Sequence, residues 1–179
     1  MKKIMLLMAT LAISLPAHAV KNLNTVISGK LYISGSSGNR GPLSEGDLVD
    51  LCNQGFTYAV YVYAGGVNKT VTCGGGRTLK YQNSTAWKNP SGILSEASRA
   101  IDNGGKALIH CWNGVHASRF AGAVALNNFC GFSGGEASKW WRSGFSAASL
   151  GAAAINELQG RLSRLPSGRG GMSGCPSPR

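Results

Sequence analysis

His110, Cys111, His116 and Ser118 fall within one stretch, "HCWNGVHASR" (residues 110–119), and these side chains at this spacing can do covalent chemistry. A cysteine thiolate is a strong nucleophile. It is favoured where a strand turns into a helix, because the helix dipole and the unpaired N–H groups of the first turn stabilise negative charge. The same N–H groups cradle phosphate or sulfate, and a glycine such as Gly114 lets the backbone come close enough to do so. "KALI" before the stretch reads as a buried strand and "FAGAVALNNF" after it as a helix, which is the arrangement this chemistry needs.

The ends of the chain set the context. "MKKIMLLMATLAISLPAHA" has a positive start at Lys2 and Lys3, a short apolar run from Ile4 to Leu15, and the small-x-small cleavage pattern Ala17-His18-Ala19. Residues 1–19 therefore read as a signal peptide cleaved near Ala19, with a periplasmic or secreted product and no membrane span in the mature form. Residues 20–165 are long enough for one domain, and "PSGRGGMSGCPSPR" (166–179) has the composition of a flexible tail, which a disulfide at Cys175 could tie down. The net charge is +11, which favours a phosphorylated or other anionic ligand. Basic residues are scattered and no nucleic-acid motif accompanies them, so no specific nucleic-acid partner is expected; the protein is read as a monomer without a cofactor. Five cysteines, Cys52, Cys73, Cys111, Cys130 and Cys175, enter a compartment that permits disulfides. With Cys111 reserved for chemistry, the other four can pair in three ways.

Hydropathy and turn signals outline the elements that must position the loop. "GKLYISGS" alternates as a strand. A helix follows, capped by Ser44 with Asp47 three residues on, carrying Leu48, Leu51 and Cys52 and ending at Gly55. "FTYAVYVYAG" reads as a strand buried on both faces. The next segment, to Gly92, is irregular unless Thr70–Cys73 and Thr78–Tyr81 form a hairpin. Ile93, Leu94, Ala97, Ala100 and Ile101 mark one face of a further helix before the strand "KALIH". "ASRFAGAVALNNFCG", "SGGEASKWWRSG" and "SAASLGAAAINELQGRLSRL" are three more helices, the last with Leu158, Leu162 and Leu165 facing inward. The order is that of an α/β domain with a small, mostly parallel sheet flanked by helices.

"HCWNGVHAS" resembles the nucleophile loop of the cysteine-dependent dual-specificity and tyrosine phosphatases, H-C-x-x-G-x-x-R-[ST], with His110, Cys111, Gly114 and Ser118 matching in type and spacing. "KLYISGS" is similar to the "LYRSGQP" opening of bacterial members, and "LSEGDLVDLCNQGFTYAVYV" and "CGFSGGEASKWW" resemble their flanking elements, so the likeness spans residues 29–143. It implies a dual-specificity phosphatase-like fold, Cys111 as nucleophile, Ser118 assisting the thiolate, and His110 orienting the loop. The anion-binding loop would then comprise His110, Trp112, Asn113, Gly114, Val115, Ala117 and Arg119.

Two departures bear on activity. The family's arginine, whose planar fork grips two phosphoryl oxygens, falls at Ala117. Between Asp50 and Glu96 there is no acidic residue to protonate a leaving oxygen. His116, when protonated, could supply a positive donor and is counted with Cys111 and Ser118 as a candidate catalytic residue; Arg77 or Arg119 could reach in from outside. The expected function is that of an exported, slow or altered cysteine phosphatase acting on phosphomonoesters. The alternative is a catalytically degenerate phospho-ligand binder or interaction module. A Cys111–His116 hydrolase lacks an orienting Asp or Asn. A soft-metal site from His110, Cys111 and His116 lacks a fourth ligand, so no metal is assigned.

Overall fold

The computed structural model describes residues 20–38, 40–144 and 150–178. The expected signal peptide, residues 1–19, lies outside these, as do Arg179 and the first residues of the last expected helix. Six strands form one sheet in the order β1-β2-β6-β3-β5-β4: β1 Asn24–Ile27, β2 Leu31–Ser34, β3 Phe56–Tyr61, β4 Asn68–Thr72, β5 Thr78–Asn83 and β6 Lys106–His110. The four inner strands β2, β6, β3 and β5 run parallel, and the edges β1 and β4 pair antiparallel. Helices α1 (Glu45–Asn53), α2 (Ser91–Asp102), α3 (Ala117–Cys130), α4 (Gly134–Ser143) and α5 (Ala152–Ser163) cover both faces, so the architecture is α/β with a mostly parallel sheet. No helix of the described residues is long and apolar enough to cross a membrane.

Side-chain alternation divides the core. Leu108 of β6 and Ala59 and Tyr61 of β3 face α1, packing with Leu48, Leu51 and Cys52. Ala107 and Ile109, with Tyr58 and Val60, face α2 and α3. Strand β3 is buried on both faces, as its near-continuous apolar run requires. Helix α3 is buried from Ala117 to Asn127, because α4 and α5 cover the side turned away from the sheet. Its weak amphipathicity is that of a central helix.

Three features differ from the sequence reading. Strand β1 was not expected; at four residues, two of them exposed, it carries too little alternation to be seen. The irregular segment contains the β4–β5 hairpin, which was expected only conditionally. The expected tail, in its described residues 166–178, is strapped to the body. Asn127 Nδ2 donates to the Pro166 carbonyl at 2.7 Å, the Met172 N–H to Phe129 O at 3.1 Å, and the Ser28 N–H to Gly174 O at 2.9 Å. Its glycines allow this packing: a Cβ on Gly168 would fall 1.5 Å from the Asn127 carbonyl oxygen.

Disulfides join Cys52 to Cys73 and Cys130 to Cys175, leaving Cys111 as the free cysteine. The first ties α1 to the end of β4, the second ties the C-terminal segment to the end of α3. Replacing Cys130 and Cys175 by serine should lower unfolding free energy by about 2–4 kcal/mol, seen as a lower denaturant midpoint. An unchanged midpoint would show that the strap adds no stability.

Candidate active site

All four parallel strands end at the same edge of the sheet, where ligand sites of open α/β sheets form. The register puts Ser34, His110 and Tyr61 side by side at the ends of β2, β6 and β3. Beyond them the chain continues into Gly35-Ser36, Cys111 and Val62-Tyr63, so Cys111 leaves the middle of the edge and α3 begins just after it, with His116 at its N-cap.

Close backbone packing fixes the turn between Cys111 and α3. The Cys111 N–H donates to Ser34 O at 3.1 Å and the Ser36 N–H to Trp112 O at 3.0 Å; Gly35 and Asn113 form a bridge. Gly114 adopts φ +76°, and a Cβ on it would lie 2.6 Å from the Gly35 nitrogen. Only glycine satisfies both constraints. Asn22 Nδ2 donates to Asn113 O at 2.8 Å, tying down the outer side.

Inside the turn the Gly114 N–H donates to Cys111 Sγ at 3.2 Å, and Ser118 Oγ lies 3.2 Å from the same sulfur. Ser118 Oγ is also 3.3 Å from Ser34 O. A hydroxyl has one proton. With that proton on the Ser34 carbonyl, the Cys111 thiol donates to Ser118; with Cys111 ionised, Ser118 turns its proton to the sulfur. Helix α3 adds its first N–H groups, which have no partner within the helix.

His110 is buried and sandwiched between Tyr61 and Tyr81, ring centroids 5.0 and 5.7 Å away. Tyr81 Oη accepts the Leu43 N–H at 2.9 Å and is hydrogen-bonded to His110 Nε2 at 2.8 Å, with the donor of that second bond set by the His110 tautomer. Burial pushes the His110 pKa down to about 3, so the ring is neutral and positions the loop rather than carrying charge.

The remaining expected site residues separate. Trp112 and Asn113 are exposed on the rim, Val115 is half-buried, and His116 is buried at the N-cap. Ala117 is fully buried in the core, presenting a methyl group where the resemblance places a guanidinium. Arg119 points away: Nε donates to Trp141 O at 3.0 Å, Nη2 to Trp140 O at 2.7 Å, and the guanidinium stacks 4.1 Å from the Trp140 ring centroid. It caps the C-terminus of α4, where orphan carbonyls and the helix dipole favour a cation. Arg77 donates to Gly74 O and Asn53 O beside the Cys52–Cys73 disulfide, at the opposite edge of the sheet. Neither can enter the loop without leaving these partners.

Sequence reasoning missed the wall of the site. Tyr61 Oη accepts from Trp112 Nε1, and Tyr63 packs 5.8 Å from Tyr61 and 5.0 Å from Trp112, centroid to centroid. Burial, then the neighbouring Cys111 and Tyr61, push the Tyr63 phenol up to about 12, so it stays protonated beside the loop. Both tyrosines come from "FTYAVYVYAG", where burial was legible and the direction of the hydroxyls was not. Ser34, Gly35 and Ser36 were likewise read only as a strand end.

The sheet and helices define a phosphatase-like fold. Two solved structures share it: the protein tyrosine phosphatase Tk-PTP in its active form (TM-score 0.55, 17% identity, covering 80% of this chain and 97% of that one) and a glycine-to-alanine mutant form of Tk-PTP (TM-score 0.52, 18% identity, covering 79% and 93%). No family model and no curated protein matches the sequence.

Two predictions follow from this geometry. Gly114→Ala must hold an alanine at positive φ against Gly35 and should cost about 2 kcal/mol or more of stability in chemical denaturation. An alanine variant as stable as wild type would contradict the turn described. His110 has a folded pKa near 3 against 6.5 for the free side chain, so between these values the unfolded chain binds the extra proton. Its contribution is complete above pH 6.5 and should fall by about 1.4 kcal/mol per pH unit as pH drops toward 3. Denaturant titrations across that range should show this slope in wild type and its loss in His110→Gln.

Proposed function

We propose that this chain is an exported cysteine phosphatase of altered and slow activity, which takes the phosphoryl group of an anionic phosphomonoester into the loop 110–118. One observation carries the reading: the free Cys111 sulfur, at the start of α3, receives the Gly114 N–H and faces Ser118 Oγ, each at 3.2 Å. The phosphatase-like fold supports it. Export is supported by the leader-like residues 1–19 and by the two disulfides, which persist in oxidising compartments.

In this reading the Cys111 thiolate attacks phosphorus, the bond from phosphorus to the leaving oxygen breaks, and a phosphocysteine forms. The leaving oxygen takes its proton from solvent, since no carboxylate stands between Asp50 and Glu96. Water then attacks phosphorus, releasing inorganic phosphate and returning the electron pair to sulfur, with Ser118 donating a hydrogen bond to the thiolate. Losing an oxyanion donor costs about 10²–10³ in rate, and losing acid catalysis about 10²–10⁴. Ala117 favours a second reading, a phospho-ligand binder that does not turn over.

Turnover of an aryl phosphate, absent in Cys111→Ser and blocked by vanadate, is the expected result. Thermal stabilisation by vanadate and phosphate without Cys111-dependent turnover would establish the binder instead. No response of the melting temperature to either anion would overturn both readings.

A further inference from the structure

The loop lacks a guanidinium at position 117, yet a phosphoryl dianion held by N–H groups alone is poorly neutralised. The arginines expected to compensate are engaged elsewhere, Arg119 on α4 and Arg77 at the far edge of the sheet. Arg99 pairs with Glu96 and Arg161 with Glu157, and Arg142 has a partner of its own. Arg164 lies against Gly160 of α5, and Arg169 sits between glycines packed at the far end of α3.

Arg40 is different. It is exposed, and among the described residues it has no ion pair or hydrogen-bond partner for its guanidinium. The segment that carries it is tied to the nucleophile loop on both sides. Ser36 Oγ lies within hydrogen-bond reach of both the Cys111 carbonyl, at 3.2 Å, and the Gly41 carbonyl, which holds Gly41, next to Arg40, beside the loop. Two residues further, the Leu43 N–H reaches Tyr81 Oη, which holds His110. The carboxylate beside this segment, Asp47, is occupied by Ser37 Oγ at 2.6 Å and by the Ser44 N–H and hydroxyl. The long side chain of Arg40 therefore starts from backbone anchored to Cys111 and His110.

We infer that Arg40 supplies, from the segment between β2 and α1, the guanidinium that position 117 lacks, closing on the phosphoryl oxygens of a ligand bound at Cys111. The inference rests on the phosphoryl-binding reading above. A charge-assisted, forked contact of this kind changes affinity by about 10- to 100-fold.

The test measures vanadate affinity by thermal shift in wild type, Arg40→Gln, Arg40→Lys and Arg99→Gln. Arg40→Gln should weaken vanadate roughly 10- to 100-fold, Arg40→Lys less, since it keeps the charge and loses the fork, and Arg99→Gln not at all. Full affinity in Arg40→Gln, with wild type responding, overturns the role of Arg40 alone. An equal loss in Arg99→Gln also overturns it, by tracing the effect to net charge. A wild type that does not respond to vanadate sinks the site reading itself, and this inference with it.

Discussion

The site depends on how closely two backbones approach at the end of the sheet. Residues 34–36, leaving β2, lie against residues 111–114, leaving β6, and the contact exists because Gly35 and Gly114 both lack a Cβ; one on Gly35 would fall 2.8 Å from the Asn113 carbonyl carbon. From that approach follow the Gly35–Asn113 bridge, the position of Ser118 between Ser34 and the thiol, and the direction in which α3 departs. The parallel pairing of β2 and β6 brings the two chain ends level, and the glycines let them touch.

The charged groups near this fixed geometry are engaged elsewhere. Position 117 belongs to the apolar interior, continuous with Phe120 and Ala121, and α3 packs a methyl group there. The arginine two residues on serves α4, where it offsets orphan carbonyls and stacks on Trp140. Aromatic groups line the rim instead. Tyr61, Tyr63 and Trp112 form a wall beside the thiol that shields it from bulk water without adding charge.

Much of this was legible in the sequence, for identifiable reasons. The turn around Cys111 shows because its residues are local: Cys111, Gly114 and Ser118 are close in sequence as well as in space. Strands β3 and β6 and helix α3 show as near-continuous apolar runs, and helices α1, α2 and α4 show through the periodicity of one-sided burial. Three kinds of feature did not show. Strand β1 is too short and half exposed to leave a pattern. The partners of Arg119 and Arg77 lie on elements whose packing no local signal specifies. The C-terminal segment has the composition of disorder because glycine serves close packing and chain flexibility equally, and only the contacts at Gly168 and Gly174 tell them apart.

The disulfide pattern has a consequence for biogenesis. Cys52 and Cys73 are neighbours in order of synthesis and can pair as soon as both are exposed to an oxidant. The next two to emerge are Cys111 and Cys130, and joining them would consume the free thiol. The native pattern passes over Cys111 and joins Cys130 to Cys175, which is 45 residues further on. Correct oxidation therefore requires that Cys111 be withdrawn into its turn before Cys130 reacts, or that an isomerase undo the premature bond. The fold protects its thiol by burying it, and the order of burial and oxidation decides whether the thiol stays free.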